Sequence, residues 1–218
     1  MKSLHFTNPD KIYFTSDTHL GHANIMVFCQ RPFADVDEMD RVIMENWNKT
    51  VSKDDTIFIL GDFCWRLGDK EIAYYLNNLN GSKIFIKGNH DMNEKIFVNQ
   101  GSLLYDGFVN IGVKEPDSKE EQRITLCHYP MLSWYQSHRG AWNLFGHWHS
   151  AKINTPTESG ENILEANKEV ADFVVVEHNQ MKYLRATQYD VGVDGNDFTP
   201  ISYYQIKKII QNNLEIKK

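Results

Sequence analysis

The sequence predicts an α/β layered protein, with α+β character in its second half, and three observations lead to that class. Short apolar runs rich in β-branched and aromatic residues alternate with helical stripes over the first hundred residues. From about residue 103 the strand pattern dominates. The runs are nearly unbroken by polar residues, which is typical of strands covered on both faces by other layers.

Five of these apolar runs end in polar residues that bind protons or metals. Residues 12–14 lead into Asp17, 57–60 into Gly61-Asp62, 84–86 into Gly88-Asn89-His90-Asp91, 124–126 into Cys127-His128, and 144–145 into Gly146-His147-Trp148-His149. Each polar group therefore lies at the carboxyl end of a predicted strand. In parallel-type sheets those ends share one edge, and ligands bind along that edge.

Helical patterns lie between the strands. Asp35 is placed to cap a helix, with Glu38 three residues later as in a capping box, and a second helix is expected to begin at Asp69 and stop near Gly81. The first helix has the apolar stripe Val36, Met39, Ile43 and Trp47, and the second has Ile72, Tyr75, Leu76 and Leu79. A shorter helix is predicted over 93–99 and a final one from 202 to about 212.

The second half of the chain reads as further strands joined by polar segments. Strands are predicted at 108–113, 123–126, 173–176, 183–186 and 189–193, with an exposed turn over 114–123. Residues 151–170 have weak periodicity and are expected to form a surface insertion. No segment resembles a linker, so residues 1–218 are interpreted as a single domain.

Composition excludes several classes of protein. The net charge of −6 offers no overall basic surface, so long duplex nucleic acid and anionic lipid are not expected partners. No apolar run approaches the roughly 20 residues of a membrane span, and the N-terminus lacks a secretory signal. Three scattered cysteines suggest a reducing compartment. A soluble, cytoplasmic protein is expected.

Nine polar side chains converge at the predicted strand ends, and together they favour a metal site. They are Asp17, His19, Asp62, Asn89, His90, Asp91, His128, His147 and His149. A single histidine of this kind is usually structural, and carboxylates at strand ends also cap helices. So many buried polar groups, however, need a compensating partner. Imidazole, carboxylate and amide ligands suit zinc, manganese, iron or nickel. Their number favours two ions sharing a carboxylate, about 3.5–4 Å apart.

The five motifs resemble, in kind and order, those of calcineurin-like metallophosphoesterases, and residues 189–206 are similar to the closing strand and helix of small bacterial and phage members. The resemblance implies two mixed β-sheets packed as a sandwich flanked by helices, with a dinuclear metal site at the strand ends. It implies two divalent ions, with manganese favoured and iron, zinc or nickel as alternatives. It also implies hydrolysis of a phosphate ester by a hydroxide that bridges the metals.

The resemblance further implies a role for each motif residue. Asp17, His19 and His149 would hold the first metal, Asn89, His128 and His147 the second, and Asp62 would bridge them. His90 would face the substrate and protonate the leaving group, while Asp91 would hydrogen-bond His90 and fix its orientation.

The sequence departs from the family pattern in three places. Many members have a carboxylate three residues after the bridging aspartate, where this chain has Trp65, and many have glycine where this chain has Cys127. Residues 92–95 lack the arginine that protein phosphatases carry there. These departures argue against a protein serine/threonine phosphatase and leave substrate recognition open.

Two further residues are candidate substrate contacts: His22, just after the first motif, and Arg31, for which an ordinary solvated charge is the alternative interpretation. The partner is expected to be a phosphate ester, including nucleotide derivatives. Phosphodiesters are favoured, with phosphomonoesters or nucleic-acid ends as the alternative, and a non-catalytic metal-binding scaffold as a third hypothesis. The aromatics of residues 129–142 would either stack a base or pack against the core.

Overall fold

The computed structural model describes residues 3–91, 94–149 and 185–216, and these residues form two five-stranded sheets with flanking helices. The predicted insertion at 151–170, the predicted strand at 173–176 and the first half of that at 183–186 lie outside the described residues. The α/β sandwich expected from the sequence is therefore confirmed in its described part.

The first sheet has the order β10-β2-β3-β4-β5. Strands β2 to β5 run parallel to one another, and β10 pairs antiparallel with β2. Because β2, β3 and β4 point the same way, the three motifs that follow them emerge at one edge. The strands are β2 (Ile12–Thr15), β3 (Thr56–Ile59), β4 (Ser82–Ile86), β5 (Leu103–Tyr105) and β10 (Ile201–Ser202).

The second sheet has the order β1-β6-β7-β8-β9. Strands β7, β8 and β9 are parallel, whereas β6 is antiparallel to β7 and parallel to β1. The motifs after β7 and β8 are thus also neighbours. The strands are β1 (Leu4–Phe6), β6 (Phe108–Lys114), β7 (Glu121–Cys127), β8 (Trp142–Phe145) and β9 (Gln188–Asp190).

Five helices accompany the sheets in the described residues. They are α1 (Ala23–Phe28), α2 (Val36–Thr50), α3 (Asp69–Asn78), α4 (Glu94–Asn99) and α5 (Tyr203–Ile216). None of the helices in the described ranges combines the length and apolarity that crossing a membrane requires.

Alternation along the strands divides the apolar side chains between two cores, because successive side chains of a strand point to opposite faces. Phe58 and Leu60 join the core between the two sheets, which also includes Leu126 and Leu144. Ile57 and Ile59 belong to the other core, which packs the first sheet against the helices. That core includes Met39, Ile43 and Trp47 of α2, and Ile72 and Leu76 of α3. The apolar stripes read from the sequence are therefore the buried helix faces.

Helix boundaries follow the sequence signals closely, with small shifts. The Asp35 side chain caps α2 by accepting the Glu38 N–H at 2.8 Å, while the Glu38 carboxylate accepts the N–H of Ala34. Helix α3 is capped at Gly68 rather than Asp69, and the Glu71 carboxylate accepts the Gly68 N–H at 2.8 Å. These carboxylates accept backbone N–H groups that the first turn of a helix leaves without an acceptor.

Other boundaries differ from the sequence expectation. Helix α1 and strand β1 were not predicted, because each is too short to show a period. The strand predicted at 189–193 ends at Asp190, and residues 193–195 form a 3₁₀ turn. Arg185 and Ala186 are not in a strand. Helix α5 extends past the expected residue 212 to Ile216.

Candidate metal centre

The loops after β2 and β3 continue to pair beyond the ends of their strands. Backbone N–H groups of Asp17 and His19 donate to the carbonyls of Gly61 and Asp62, each at 3.0 Å. The Ser16 hydroxyl adds a bond of 2.8 Å to the Leu60 carbonyl. The first two motifs therefore face each other along a hydrogen-bonded ladder.

Five residues of the motifs have left-handed backbone conformations. Among the described non-glycine residues with positive φ are Asp17 (56°), His19 (49°), Asp62 (53°), His147 (72°) and His149 (49°). Aspartate and histidine tolerate this region better than most residues, yet each instance stores strain of about 1–3 kcal/mol. Such strain persists only where the surrounding structure enforces it. Here the left-handed conformation directs the motif side chains toward one another.

The motif glycines are required by close approach of the loops. A Cβ on Gly61 would stand 2.5 Å from Nδ1 of His128. On Gly88 it would overlap the Asp62 carboxylate, and on Gly146 it would overlap Ser16 and the Asp17 carboxylate. Each glycine thus lets one loop approach the next closely enough for the polar side chains to meet.

The structure brings Asp17, His19 and His149 together. One ligand atom from each lies within 4.8 Å of the others. The Asp17 Oδ2 accepts the His147 N–H at 2.9 Å, which joins the first motif to the last. The other oxygen, Oδ1, and Nε2 of His19 are fully buried and have no hydrogen-bond partner among the described residues. Buried polar atoms are rarely left in this state.

A second group consists of Asp62, His128 and His147, again with ligand atoms within 4.8 Å. His128 Nδ1 lies 2.7 Å from the Leu60 carbonyl, so it carries the proton. Its Nε2 lies 2.9 Å from Asn89 Oδ1 and 3.5 Å from Asp62 Oδ2, so without a cation it donates its proton in a hydrogen bond to the amide oxygen. Loss of that proton would leave a lone pair aimed at the same two side chains. Fixing one ring nitrogen with a carbonyl is a common way of preparing the other to bind a metal.

Asp62 lies between the two groups. Its Oδ2 is 3.6 Å from Nε2 of His19 and 3.5 Å from Nε2 of His128, while its Oδ1 accepts the His90 N–H at 2.9 Å. This is the position that a carboxylate shared by two ions needs. The seven side chains assigned to metal from the sequence are thus all at one place.

The titration behaviour of these groups reflects a strongly negative, buried site. Burial alone would raise the pKa of Asp62, but the hydrogen bond and charge of His128, with the charge of His19, lower it to about 2. Burial opposes protonation of His128 as well, yet the Asp62 and Asp17 carboxylates raise its pKa to about 9. For His19, burial dominates and lowers the pKa. Burial likewise lowers the pKa of His147, so the carboxylates attract a proton to His128 while burial favours the neutral, ligating form of His19 and His147.

The residues present fit two divalent cations. Carboxylate, imidazole and amide donors are those that zinc, manganese and iron accept, and the two unpaired buried atoms of Asp17 and His19 are aimed into the site. Cation binding would satisfy both atoms.

Arg31 does not lie where a substrate contact would require. Its side chain is 0% exposed, and Nε and Nη2 donate to the two carboxylate oxygens of Asp194 at 2.8 and 2.9 Å. Its remaining donors reach the carbonyls of Asp17 at 2.7 Å and Thr18 at 2.9 Å. The substrate contact suggested by the sequence is therefore not supported, since the guanidinium is enclosed and fully used beneath the site.

Asp194 is a site residue that the sequence analysis missed. Its Oδ2 lies 2.6 Å from His149 Nδ1, so the carboxylate links a candidate ligand to Arg31. Burial would raise the pKa of Asp194, but the His149 and Arg31 contacts hold it far below its usual value. Cys29 Sγ also lies within 4.8 Å of these His149 and Asp194 atoms. The only sequence signal was the closing segment 189–206, since Asp194 is 163 residues from Arg31.

Asp91 also differs from its expected role. Its Oδ2 accepts the N–H groups of Asp62 and Gly88, both at 2.9 Å, and its Oδ1 accepts that of Phe63 at 3.0 Å. The predicted hydrogen bond to His90 is not among the bonds of the described residues. Asp91 instead clamps the loop after β3 to the loop after β4, because its local geometry favours backbone donors over the adjacent imidazole.

His22 and His90 lie at the edge of the two groups, and the ring of each contacts the ring of Trp65. His22 is buried, with Nδ1 3.3 Å from Nδ1 of His19, and its ring stacks on Trp65 at 4.5 Å. His90 is partly exposed, with Nε2 3.9 Å from Asp62 Oδ2. Burial lowers the pKa of His22, and the neighbouring His90 adds to this effect. His90 is thus the more accessible of the two to an incoming ligand.

Most of the ambiguous aromatic and cysteine residues pack in the structure. Trp134, Trp142 and Phe63 are buried, and Trp134 Nε1 donates to the Ala141 carbonyl at 2.9 Å. Burial raises the pKa of the Cys64 thiol to about 12 and also that of Cys127, as expected of structural thiols. Tyr135 and Tyr129, by contrast, are exposed.

A two-sheet sandwich with acidic and imidazole groups at its strand ends defines the class of metal-dependent phosphoesterases. The chain belongs to the calcineurin-like phosphoesterase family, whose model matches residues 10–197. Members of this family hydrolyse phosphate esters with divalent metals, and this chain is assigned to that chemistry in general terms.

Individual relatives agree with the family but carry no functional name. An uncharacterized protein from Methanocaldococcus jannaschii is 35% identical over 146 residues, covering 66% of this chain and 72% of its own length. The gene 66 protein of Mycobacterium phage L5 is 39% identical over 82 residues, covering 36% of this chain and 39% of its own. A protein of unknown function from Aquifex aeolicus has a similar crystal structure, with TM-score 0.62 and 26% identity, over 91% of this chain and 98% of its own.

Proposed function

We propose that the protein is a hydrolase of phosphodiesters that uses two divalent ions, of which manganese is favoured. One observation carries the proposal: Asp62 belongs to one group of ligand atoms, those within 4.8 Å of one another with His128 and His147, and its Oδ2 also lies 3.6 Å from Nε2 of His19 in the other group. The buried, unpaired atoms of Asp17 and His19 support it, because they require a partner that the described protein atoms do not supply.

The proposed ligands follow the two groups. One ion would be held by Asp17, His19 and His149. The other ion would be held by Asn89, His128 and His147, and the Asp62 carboxylate would bind both ions. When bound, the ions would activate water and neutralise the charge of the phosphate. Asp194 and the Leu60 carbonyl would orient the rings of His149 and His128 from behind, through bonds of 2.6 and 2.7 Å.

His90 is the proposed proton donor. In hydrolysis a water oxygen forms a bond to phosphorus while the bond from phosphorus to the leaving oxygen breaks, and that oxygen needs a proton. The His90 side chain is 36% exposed, and its Nε2 is 3.9 Å from Asp62, so it borders the place where phosphate would bind. An imidazole N–H in hydrogen-bond reach of the leaving oxygen can donate a proton to it as a general acid. His22 is proposed as a secondary substrate contact.

The charge of the site favours a diester over a monoester. A monoester carries more negative charge and would gain more from a guanidinium, but Arg31 is enclosed and paired with Asp194. The chain as a whole has a net charge of −6, which disfavours long polyanions and leaves nucleotide derivatives and nucleic-acid ends in reach. A cytoplasmic location remains an expectation.

The test is a substrate panel on protein stripped by chelator and reloaded with manganese. We expect hydrolysis of simple aryl phosphodiesters faster than of the matching monoesters, lost on chelation, with near two ions bound per chain. Asp62→Asn should lose activity and metal, whereas Asp106→Asn, an exposed control, should keep both. No hydrolysis of any ester by the two-metal protein would refute the proposal and favour a scaffold.

Cyclic nucleotides and short oligonucleotides in the same panel separate the remaining substrates. A rate on oligonucleotides that falls steeply with salt would favour the nuclease alternative. A salt-insensitive rate on small diesters supports the proposal.

A further inference from the structure

The proposed proton donor needs a neighbour that holds its ring, and Asp91 is not that neighbour. Both Asp91 oxygens are occupied by backbone N–H groups, at 2.9 to 3.0 Å. The His90 N–H is bonded to Asp62, which fixes its backbone but leaves the side-chain torsions free. Some other contact must therefore set the direction of the imidazole.

Trp65 makes the closest ring contact to His90 among the described residues. The two ring centroids are 4.6 Å apart with planes at 76°, an edge-to-face arrangement. The other ring contact, to His19, is longer at 5.6 Å. Edge-to-face pairs at this distance are favourable, because the positive edge of one ring meets the negative face of the other.

The Trp65 ring is itself held from several sides. Its backbone N–H donates to the Leu20 carbonyl at 3.0 Å, as part of the ladder between the first two loops. Its ring lies nearly parallel to that of His22, at 4.5 Å and 13°, and the Arg66 guanidinium is 5.0 Å from its centre. These contacts limit the orientations that the indole ring can adopt beside His90.

We infer that Trp65 is the positioning residue for His90, acting through shape and ring electrostatics rather than through a charge. The inference rests on the proposed function, in which His90 protonates the leaving oxygen. Trp65 occupies the position three residues after Asp62, so the ladder that places the shared carboxylate also places this ring. With the ring removed, His90 would sample orientations that point Nε2 away from the leaving oxygen.

The expected consequence is a loss of turnover that depends on the leaving group. Misplacement of a catalytic group by about 1 Å costs roughly 100-fold in rate. Trp65→Leu, which keeps apolar bulk without a ring, should lower kcat about 10- to 100-fold on esters with poor leaving groups. Any change in KM would report the loss of its stacking on His22. Esters with good leaving groups, which need no proton, should be hydrolysed normally. Trp65→Phe should recover most of the lost rate.

The decisive experiment is a double-mutant cycle of Trp65→Leu and His90→Ala, measured on a poor leaving group with metal content determined for every variant. If Trp65 acts through His90, its replacement should have no further effect once His90 is absent. Trp134→Phe, whose ring contacts Arg185 and the Ala141 carbonyl, is the matched control and should leave kcat unchanged. Additive losses, or loss of metal in Trp65→Leu, would overturn the inference.

A measurement independent of turnover separates this inference from the proposed function. In the NMR spectrum, with resonances assigned from His90→Ala, the His90 side-chain lines should broaden and their NOEs to neighbouring protein protons should weaken in Trp65→Leu, and both should recover in Trp65→Phe. An inactive wild-type protein with this NMR response would refute the proposed function and keep the positioning. Unchanged His90 resonances would refute the positioning even in an active enzyme.

Discussion

Replacement of Asp91 tests whether this carboxylate clamps two loops or orients a catalytic histidine. The side chain is buried and accepts three backbone N–H groups, from Asp62 and Gly88 at 2.9 Å and from Phe63 at 3.0 Å. In Asp91→Asn the amide oxygen can serve two of these donors, while the amide NH₂ would face the third. One bond is lost and one buried N–H is left without an acceptor.

The magnitude follows from these contacts. A buried donor without a partner costs about 1–3 kcal/mol, so Asp91→Asn should lower the free energy of unfolding by that amount. Asp91→Ala leaves all three donors unpaired and should cost about 3 kcal/mol or more, with entering water limiting the total. Both losses should be present in metal-free protein, because they arise from the loops themselves.

The assay is urea unfolding of chelator-treated protein, with Asp106→Asn as an exposed control expected to change stability by less than about 0.5 kcal/mol. If Asp91 instead oriented His90, Asp91→Asn would reduce kcat on poor leaving groups while the unfolding free energy stayed at the wild-type value. That result would refute the clamp.

Three further replacements probe the centre and the fold. In Gly146→Ala the new Cβ overlaps the Asp17 carboxylate, so metal analysis should find fewer than two ions bound. Asp194→Asn weakens the support of the imidazole that it bonds and should lower metal affinity about 10- to 100-fold by calorimetric titration. Burial would raise the pKa of Glu115, but bonds from Lys207 and a tyrosine lower it. The ion pair therefore adds stability above the pKa of an unfolded glutamate, about 4.3. The cost of Lys207→Met, about 0.5–1 kcal/mol at pH 7, should decrease in urea titrations as the pH falls below that value and through the lowered pKa of Glu115.

Each of these replacements has an outcome that would contradict the reasoning, and Gly146→Ala also has a control. Gly107→Ala places a Cβ in open space and should retain both ions. Full metal binding by Gly146→Ala would show that the loops separate without cost. An unchanged metal affinity in Asp194→Asn would show that the Asp194 carboxylate serves only to pair with Arg31 and does not support His149. A pH-independent effect of Lys207→Met would show that the lysine stem, rather than its charge, stabilises helix α5.

The strained backbone of the motifs and the buried ion pair beneath them belong together. Holding five aspartate and histidine residues in the left-handed region requires neighbours that leave no alternative. The Arg31 guanidinium supplies part of that constraint, since it binds the carbonyls of Asp17 and Thr18 while paired with Asp194. A charge buried so deeply is tolerated because every donor has an acceptor.

The fold class could be predicted, and the candidate ligands could be selected, because both depend on local patterns. Short apolar runs identify buried strands, and the parallel direction of strands joined by helices brings their carboxyl ends to one edge. The seven candidate ligands follow at once from their positions after those strands. Helix α2 was predicted with its cap, because Asp35 and Glu38 act within one turn.

Tertiary structure alone decided what supports those ligands. In the sequence, Arg31 is only a candidate substrate contact and Asp91 a candidate partner of His90, and no pattern indicates Asp194 or the contact of Trp65 with His90. The direction in which a side chain points depends on the backbone turn that carries it, and the partners that it meets come from distant segments. The periodicity of the strands encodes which residues are buried and where each strand ends. Pairings such as Arg31 with Asp194 form only when the sheets have assembled and brought remote loops together.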